Sequence, residues 1–226
     1  MCGRFTLTSI DGLVEEFGTL VLPADLRPRY NIAPTQAVPI IANENRGAVE
    51  LVRWGLIPHW AKDASIGNRM INARSETLAS KPAFRAAFTR RRCLVLADGF
   101  YEWRRTGKAK VPYFIRRASR RPFSFAGLWE RWKAPDETDV RSCTIVTTEA
   151  DELIAPLHDR MPVIVLPEDR ARWLAPDPVT SDEVADILRP APLEDLELFE
   201  VSPLVNSPAN DSPECIVPAI QPRLFD

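Results

Sequence analysis

The sequence predicts an α+β fold, in which a strongly curved, mainly antiparallel and barrel-like β-sheet is flanked by short helices. Three observations predict it. Short runs of β-branched and aromatic residues recur along the chain, the helical patterns between them are brief, and the two alternate without the rhythm of strand-helix-strand units. With 226 residues and 45% hydrophobic content, the chain can bury the core of one domain spanning residues 1–226.

The first quarter of the chain predicts a strand, a helix and a hairpin. Residues 3–7 form the strand, and Ser9 is placed to cap the helix that follows. The runs 37–42 and 49–54 have strand composition and are separated by the turn-forming residues 43–47. A sheet is therefore expected to begin with this hairpin.

The rest of the chain predicts further strands with short helices between them. A helix is expected from Pro82 to the basic run 90–92, which suits a helix C-terminus. Strands are expected at 93–97, 111–117, 123–128, 142–147 and 162–166, the first three forming an antiparallel meander. Short acidic helices are expected at 149–154, 168–174 and 181–188. The Pro-rich residues 207–226 are expected to wrap the surface as a tail.

Charge is unevenly distributed along the chain, although the formal net charge is only -2. Residues 1–148 hold 24 Lys and Arg against 14 Asp and Glu, a net +10, whereas residues 149–226 hold 5 against 17, a net -12. A fold that gathers the basic part on one face offers a groove for a polyanion. Ordinary solvated faces are the alternative explanation.

Composition excludes several classes of protein. No run of 18 apolar residues and no signal peptide is present, so a cytoplasmic protein is expected. The four cysteines, Cys2, Cys93, Cys143 and Cys215, show no CxxC spacing, and the only histidines, His59 and His158, are far apart in sequence. We therefore expect no metal and no other cofactor.

Cys2 is the first candidate for reactive chemistry. Removal of Met1, which is usual before a small residue, leaves an α-amine and a thiol on one residue, with reference pKa values near ~8 and ~8.5. Such a 1,2-aminothiol condenses with an aldehyde to a Schiff base and then to a five-membered thiazolidine ring. In DNA, the lesion that carries an aldehyde is the ring-opened abasic site. A cysteine that occupies position 2 by accident is the alternative.

Asn72, Glu102 and His158 are of the types that an aldehyde condensation requires. Glu102 lies among aromatic residues that would raise the pKa of its carboxyl, and His158 titrates near neutrality. Asn72 can hold an amine or a hydroxyl, and Arg74 suits a phosphate. The alternatives are a turn or helix cap for Asn72, a surface glutamate for Glu102 and a structural histidine for His158.

Seven segments together make the chain resemble a known family. They are Met1-Cys2-Gly3-Arg4, Tyr30-Asn31-Ile32-Ala33-Pro34-Thr35, Arg53-Trp54-Gly55-Leu56-Ile57-Pro58, Asn72-Ala73-Arg74-Ser75-Glu76-Thr77, Gly99-Phe100-Tyr101-Glu102-Trp103, His158-Asp159-Arg160-Met161-Pro162 and Val201-Ser202-Pro203-Leu204-Val205-Asn206. In this order and over residues 2–206 they resemble the SOS response-associated peptidase (SRAP) family, also described as abasic-site processing proteins.

The resemblance implies a covalent thiazolidine crosslink between Cys2 and an abasic site in single-stranded DNA, which shields the lesion during replication. Asn72 would position the amine, Glu102 would act as general acid and base, and His158 would supply a proton. No departure from the family pattern is present at these positions.

The resemblance also implies DNA contacts, with phosphates held by Arg4, Arg74 and Arg160 and a smaller contact made by Thr147. Pro34, Thr35 and Trp60 look suited to stack on bases or wedge them apart. The expected partner is single-stranded DNA with abasic sites, bound by a monomer that is nucleoid-associated when on damaged DNA.

Two other functions stay open. The family name records a proposed autoproteolytic peptidase activity that would expose Cys2, although here ordinary removal of Met1 suffices. A cysteine peptidase would use Cys2 as nucleophile and His158 as base. A non-covalent single-strand binding module would tolerate Cys2→Ser but weaken with salt and with loss of Arg74.

Overall fold

Twelve strands and three short α-helices form within residues 2–107, 109–191, 193 and 195–219, which are the residues that the computed structural model describes. The strands are β1 (Phe5–Leu7), β2 (Arg29–Ile32), β3 (Ala37–Ala42), β4 (Asn45–Trp54), β5 (Asn72–Arg74), β6 (Arg92–Ala97), β7 (Gly99–Thr106), β8 (Ala109–Arg117), β9 (Phe123–Lys133), β10 (Asp139–Glu149), β11 (Arg160–Pro162) and β12 (Leu196–Glu200). The helices are α1 (Asp11–Phe17), α2 (Arg85–Arg90) and α3 (Arg170–Trp173).

Five strands close into a barrel. β4 pairs with β3, β3 with β6, β6 with β9 and β9 with β10, all antiparallel, and a parallel pairing of β10 with β4 completes the ring. β5 and β11 add to β10, the first parallel and the second antiparallel. The predicted fold class, a curved and mainly antiparallel barrel with short helices, is confirmed.

The second sheet packs against this barrel and has the strand order β12-β8-β7-β1-β2. Phe5 of β1 joins the two, since its ring centroid lies 5.2 Å from that of Trp54 and 5.9 Å from that of Phe125. Phe100 of β7 meets Phe125 edge to face at 5.9 Å. Burial of these rings stabilises the contact between the sheets and places residue 2, just before β1, at their junction.

The N-terminal elements largely follow the prediction, with two corrections. The hairpin turn is tighter than expected, because Ala42 already pairs with Asn45. The Ser9 cap was wrong: α1 begins after Ile10, which makes no side-chain cap. The backbone N–H of Ser9 donates instead to Asp98 Oδ2 at 2.9 Å, so Ser9 is bound to the loop before β7.

The predicted meander of strands 93–97, 111–117 and 123–128 was wrong. β7, which was not predicted as a strand, pairs with β8 in the second sheet, whereas β6 pairs with β9 in the barrel. The exposed end of β7, with Arg104 and Arg105, lacks the apolar alternation that predicts strands from sequence. The three predicted strands are therefore divided between two sheets.

The acidic C-terminal third is less helical than predicted. β10 extends to Glu149, α3 has four residues, and a 3-10 turn at Asp182–Val184 stands where a helix was expected. Further 3-10 turns at Pro203–Asn206 and Pro213–Ile216 bury Val205 and Cys215. The predicted tail extends beyond these turns into residues 220–226, which lie outside the described residues.

None of the helices within the described residues is both long enough and apolar enough to cross a membrane. Nowhere in that part of the chain do three or more His, Cys, Asp or Glu side chains gather as metal ligands.

Candidate functional site

Cys2 lies immediately before β1 and is fully buried. Its Sγ is 3.8 Å from the carbonyl oxygen of Arg4. Burial, and next the negative charge of Glu102, raise the pKa of the thiol far above its usual range. Cys2 therefore carries a protonated thiol, rather than the thiolate fraction that its reference pKa suggests. Met1 lies outside the described residues, so its removal stays a prediction.

Asn72 contacts Cys2 directly. Its Nδ2 donates a hydrogen bond of 2.8 Å to the carbonyl oxygen of Cys2. Asn72 begins β5, where it lies in register with Ile145 of β10, so the barrel sets its position. The resemblance implies that Asn72 positions the amine of Cys2, whereas in the structure its side chain holds the carbonyl of the same residue.

Glu102 lies on β7 opposite Tyr113 of β8, and only 2% of its surface is exposed. Burial raises the pKa of its carboxyl to about 7. The aromatic setting in the sequence predicted the direction of this change. At neutral pH, both protonation states of Glu102 are populated. A side chain that both donates and accepts protons needs such a pKa.

His158 lies in the loop between β10 and β11. Its Nδ1 is 2.9 Å from the backbone nitrogen of Arg160 and 2.8 Å from Oδ1 of Asp159. A backbone N–H can only donate, and burial lowers the pKa of His158, so the neutral ring accepts at Nδ1 and carries its proton on Nε2. The Asp159 carboxylate is 85% exposed, and water screens its attraction for a protonated ring.

Glu102 and His158 line the same open cleft, whose volume is about 490 Å³. The other residues that line it are Gly3, Arg4, Trp103, Arg105, Lys110 and Asn206. Gly3 is the chain neighbour of Cys2, so the cleft reaches the segment that carries the candidate nucleophile. Three of the lining side chains are cationic, which favours an anionic ligand.

Two arginines predicted to hold phosphates donate hydrogen bonds within the protein. Arg4 Nη1 donates to Asn31 Oδ1 at 2.8 Å and to the carbonyl of Val205 at 2.7 Å. Arg160 forms an ion pair with Glu76 and donates to the carbonyl of Thr147 at 2.6 Å. Both guanidinium groups hold loops around the site. A DNA phosphate that contacts them would have to be bound in addition to these protein acceptors.

The other predicted DNA contacts differ in exposure. Arg74, at the end of β5, is exposed, whereas Thr147 is buried on β10 opposite Arg74 and Pro162. Thr35 is exposed with a positive φ of 72°, and its N–H donates to the carbonyl of Trp54 at 2.8 Å. Pro34 is half-buried, and Trp60 is 51% exposed on a loop. Pro34, Thr35 and Trp60 stand outside the lining of the cleft described above.

Five residues that line the cleft were not among the predicted site residues: Gly3, Trp103, Arg105, Lys110 and Asn206. Trp103 Nε1 donates to Asn206 Oδ1 at 2.8 Å and so joins β7 to the C-terminal turns. Gly107, with a positive φ of 60°, turns β7 back into β8. A hairpin centred on this glycine was the available signal for Arg105 and Lys110.

A closed barrel and a second sheet, joined by the strand that follows residue 2, define an α+β protein whose candidate site lies beside its N-terminal segment. A family model described as SOS response associated peptidase (SRAP) matches residues 1–208, and the chain belongs to this family.

Relatives and solved structures agree with this membership. The chain is 46% identical over 221 residues to the abasic site processing protein YoqW of Bacillus subtilis (strain 168), covering 96% of this chain and 99% of the relative. It is 33% identical to the abasic site processing protein HMCES of Gallus gallus, covering 85% of this chain and 66% of that one. A crystal structure of a protein from Bacteroides thetaiotaomicron superposes with a TM-score of 0.87 at 26% identity, covering 97% of this chain and all of the other.

Proposed function

We propose that this protein binds abasic sites in single-stranded DNA and captures them as a covalent thiazolidine crosslink on Cys2, once Met1 has been removed. The observation that carries the proposal is the environment of Cys2, whose carbonyl is held by Asn72 and whose neighbour Glu102 has a pKa of about 7. The names of the relatives in Bacillus subtilis and Gallus gallus support the same substrate. Action as a monomer, in the cytoplasm and at the nucleoid, belongs to the proposal.

The first step joins the α-amine of Cys2 to the aldehyde carbon of the ring-opened sugar. The amine lone pair forms the new C–N bond, the C=O π pair moves to the oxygen, and that oxygen takes up the proton that the amine nitrogen loses, which gives a carbinolamine. Loss of the hydroxyl group as water then needs a general acid, and the protonated form of Glu102 supplies that proton. The products are a protonated Schiff base, one water and a Glu102 carboxylate.

The second step closes the ring. The Cys2 sulfur adds to the carbon of the protonated Schiff base and forms the C–S bond, the C=N π pair returns to the nitrogen, and the thiol proton passes to the Glu102 carboxylate. Glu102 thereby returns to its acid form, and the net change is loss of one water from aldehyde and aminothiol. Because burial keeps the thiol protonated, a base beside the sulfur is required, and Glu102 is close enough for its charge to act on that thiol.

His158 has the complementary role in this mechanism. Its lowered pKa keeps the ring neutral at pH 7, and Nδ1 already accepts from the Arg160 N–H. The Nε2–H can therefore donate a hydrogen bond to the hydroxyl or phosphate oxygens of the lesion. An exposed cation, Arg74, contributes to holding the strand.

The environment of Cys2 disfavours peptidase activity towards other proteins. A cysteine nucleophile of that class needs a thiolate with a lowered pKa, usually beside a cationic histidine. Here burial and Glu102 act in the opposite direction on the thiol, and the pKa of His158 is lowered as well.

The proposal is tested with purified protein, a single-stranded oligonucleotide carrying one abasic site, and a denaturing gel. Wild type should give a band of protein joined to DNA, and mass spectrometry should locate the adduct on Cys2 and establish that Met1 is absent. Cys2→Ala and undamaged DNA should give no band. Cys215→Ser, which changes another buried cysteine, should give the wild-type band. A band that persists in Cys2→Ala would contradict the proposal.

A further inference from the structure

The β7–β8 hairpin presents an unusual pair of cations to the cleft. Arg105 and Lys110 lie directly opposite each other in the register of the two strands, both are exposed, and both line the cleft. Side chains directly opposite on one face of an antiparallel pair are close neighbours, and like charges there destabilise the hairpin. A hairpin that keeps this pair gains from an anion that lies between them.

No carboxylate of the described residues neutralises this pair: none of the ion pairs within that part of the chain includes Arg105 or Lys110. This distinguishes them from Arg4 and Arg160, whose guanidinium groups donate to protein acceptors. Arg105 and Lys110 thus have donors available to a ligand without first breaking an internal contact.

The pair is also close to the proposed chemistry. Burial is the main cause of the lowered pKa of His158, and the positive charge of Arg105 contributes to it. Glu102 lies three residues before Arg105 on the same strand, and Trp103 lies between them on the cleft wall. Arg105 and Lys110 therefore line the same cleft as Glu102 and His158.

We propose that Arg105 and Lys110 form a phosphate-binding site for the backbone of the single strand that enters the cleft. The inference rests on the proposed function, because it takes the ligand of the cleft to be DNA. Binding is sequence-independent, since phosphates carry the contact, and it weakens with salt as counterions return to the strand.

The test measures binding of an undamaged, fluorescently labelled single strand by anisotropy over a series of salt concentrations. Arg105→Gln and Lys110→Gln should each raise the Kd roughly two- to fivefold. Each should also reduce the slope of log K against log salt by about 0.7, the value expected per phosphate contact on a single strand.

Arg104→Gln is the matched control. Arg104 precedes Arg105 on β7, and its guanidinium lies over the Tyr113 ring, 4.9 Å from the centroid, outside the lining of the cleft. The same loss of one charge from the same hairpin should leave the salt slope unchanged. Equal effects of all three variants, or a wild-type slope in Arg105→Gln and Lys110→Gln, would overturn the inference.

Folding and crosslinking are followed separately. The Tm of Lys110→Gln should equal or exceed that of wild type, because the like-charge contact is removed; a lower Tm with unchanged binding would show that the pair is structural. At subsaturating abasic-site DNA, Arg105→Gln and Lys110→Gln should crosslink more slowly than wild type, because less DNA is bound. If the wild type forms no crosslink but the variants still bind DNA more weakly than it does, the phosphate-binding site is supported and the covalent function is refuted.

Discussion

Only 2% of the surface of Glu102 is exposed, and burial raises the pKa of its carboxyl from the usual 4.5 to about 7. Between these two values the folded protein holds a proton that the unfolded chain releases, so the contribution of Glu102 to stability is complete below about pH 4.5 and is lost as pH rises through 7. The difference of pKa corresponds to a free energy on the order of 3 kcal/mol.

We therefore expect the wild type to lose stability relative to Glu102→Gln as pH rises from 5 to 8, since the glutamine cannot ionise. Urea unfolding of both proteins at several pH values measures this difference. The free energy of unfolding of the wild type should fall by up to about 3 kcal/mol relative to that of Glu102→Gln. Parallel pH profiles for the two proteins would show that Glu102 is not buried in its neutral form.

Asn72 holds the carbonyl of Cys2, the proposed nucleophile, by a single hydrogen bond. Asn72→Ala removes the 2.8 Å donor to the carbonyl of Cys2, so residue 2 should sample orientations that do not react. We expect the rate of crosslink formation at saturating DNA to fall about tenfold or more, because small misplacements of reacting groups are costly. Single-turnover reactions are quenched at successive times, and the fraction of crosslinked protein on a denaturing gel gives this rate.

Asn68→Ala is the matched control for this prediction. Its side chain is exposed and accepts from Arg53 Nη2 at 2.8 Å, and the 3-10 turn that carries it is separate from the cleft lining. This variant should crosslink at the wild-type rate. A rate unaffected by Asn72→Ala would assign Asn72 a role in packing alone.

At the level of elements, β7 determines where Glu102 lies, and Gly99 determines where β7 begins. A Cβ at Gly99 would lie 2.3 and 2.4 Å from two ring atoms of Phe114 on β8. Gly99→Ala should therefore displace β7 from β8 and lower the free energy of unfolding by about 1–3 kcal/mol. The crosslinking rate should fall as well, because Glu102 lies three residues further along the strand.

Gly47→Ala provides the comparison, since a Cβ at Gly47 on β4 meets nothing within 4 Å. Its free energy of unfolding should stay within about 0.5 kcal/mol of the wild-type value, as for most exposed substitutions. Chemical denaturation of the two variants gives both numbers. Equal stability of the two would mean that the ring of Phe114 moves aside without cost.

At the scale of the whole molecule, hydrogen bonds join residues near the C-terminus to the strands that carry the site, and together they form a clasp. Asn31 of β2 is fully buried, and its Nδ2 lies within hydrogen-bonding distance of the carbonyls of Val205 (3.1 Å), Ser207 (3.0 Å) and Asn210 (2.7 Å). Its Oδ1 accepts from Arg4, two residues beyond Cys2. One amide thereby connects the beginning of the chain to residues about 200 positions away.

Asn31→Ala should release this clasp. Leaving buried carbonyls without donors costs about 1–3 kcal/mol, so the free energy of unfolding should fall by that amount. Limited proteolysis should cleave residues 202–212 sooner than in wild type, and crosslinking should slow because Asn206 forms part of the cleft wall. Asn45→Ala, at an exposed strand end, should resist proteolysis like wild type; equal cleavage of all three would refute the clasp.

The sequence by itself determined the chemical inventory and much of the local structure. β3 was predicted with its observed ends, and Cys2, Asn72, Glu102 and His158 were named from residue type and motif. The prediction of β3 succeeds because strand propensity and turn composition are properties of a few neighbouring residues, and the four site residues stay a prediction.

Only the tertiary structure decided how the site is assembled. It placed β5 against β10, which brings Asn72 to Cys2, divided the predicted meander between two sheets, and buried the Cys2 thiol. It also joined Arg4 and Arg160 to internal partners and left Arg105 and Lys110 facing the cleft. Burial, the ion pairs of Arg160 and the pairing of distant strands such as β5 and β10 depend on residues tens of positions apart, and local patterns do not record them.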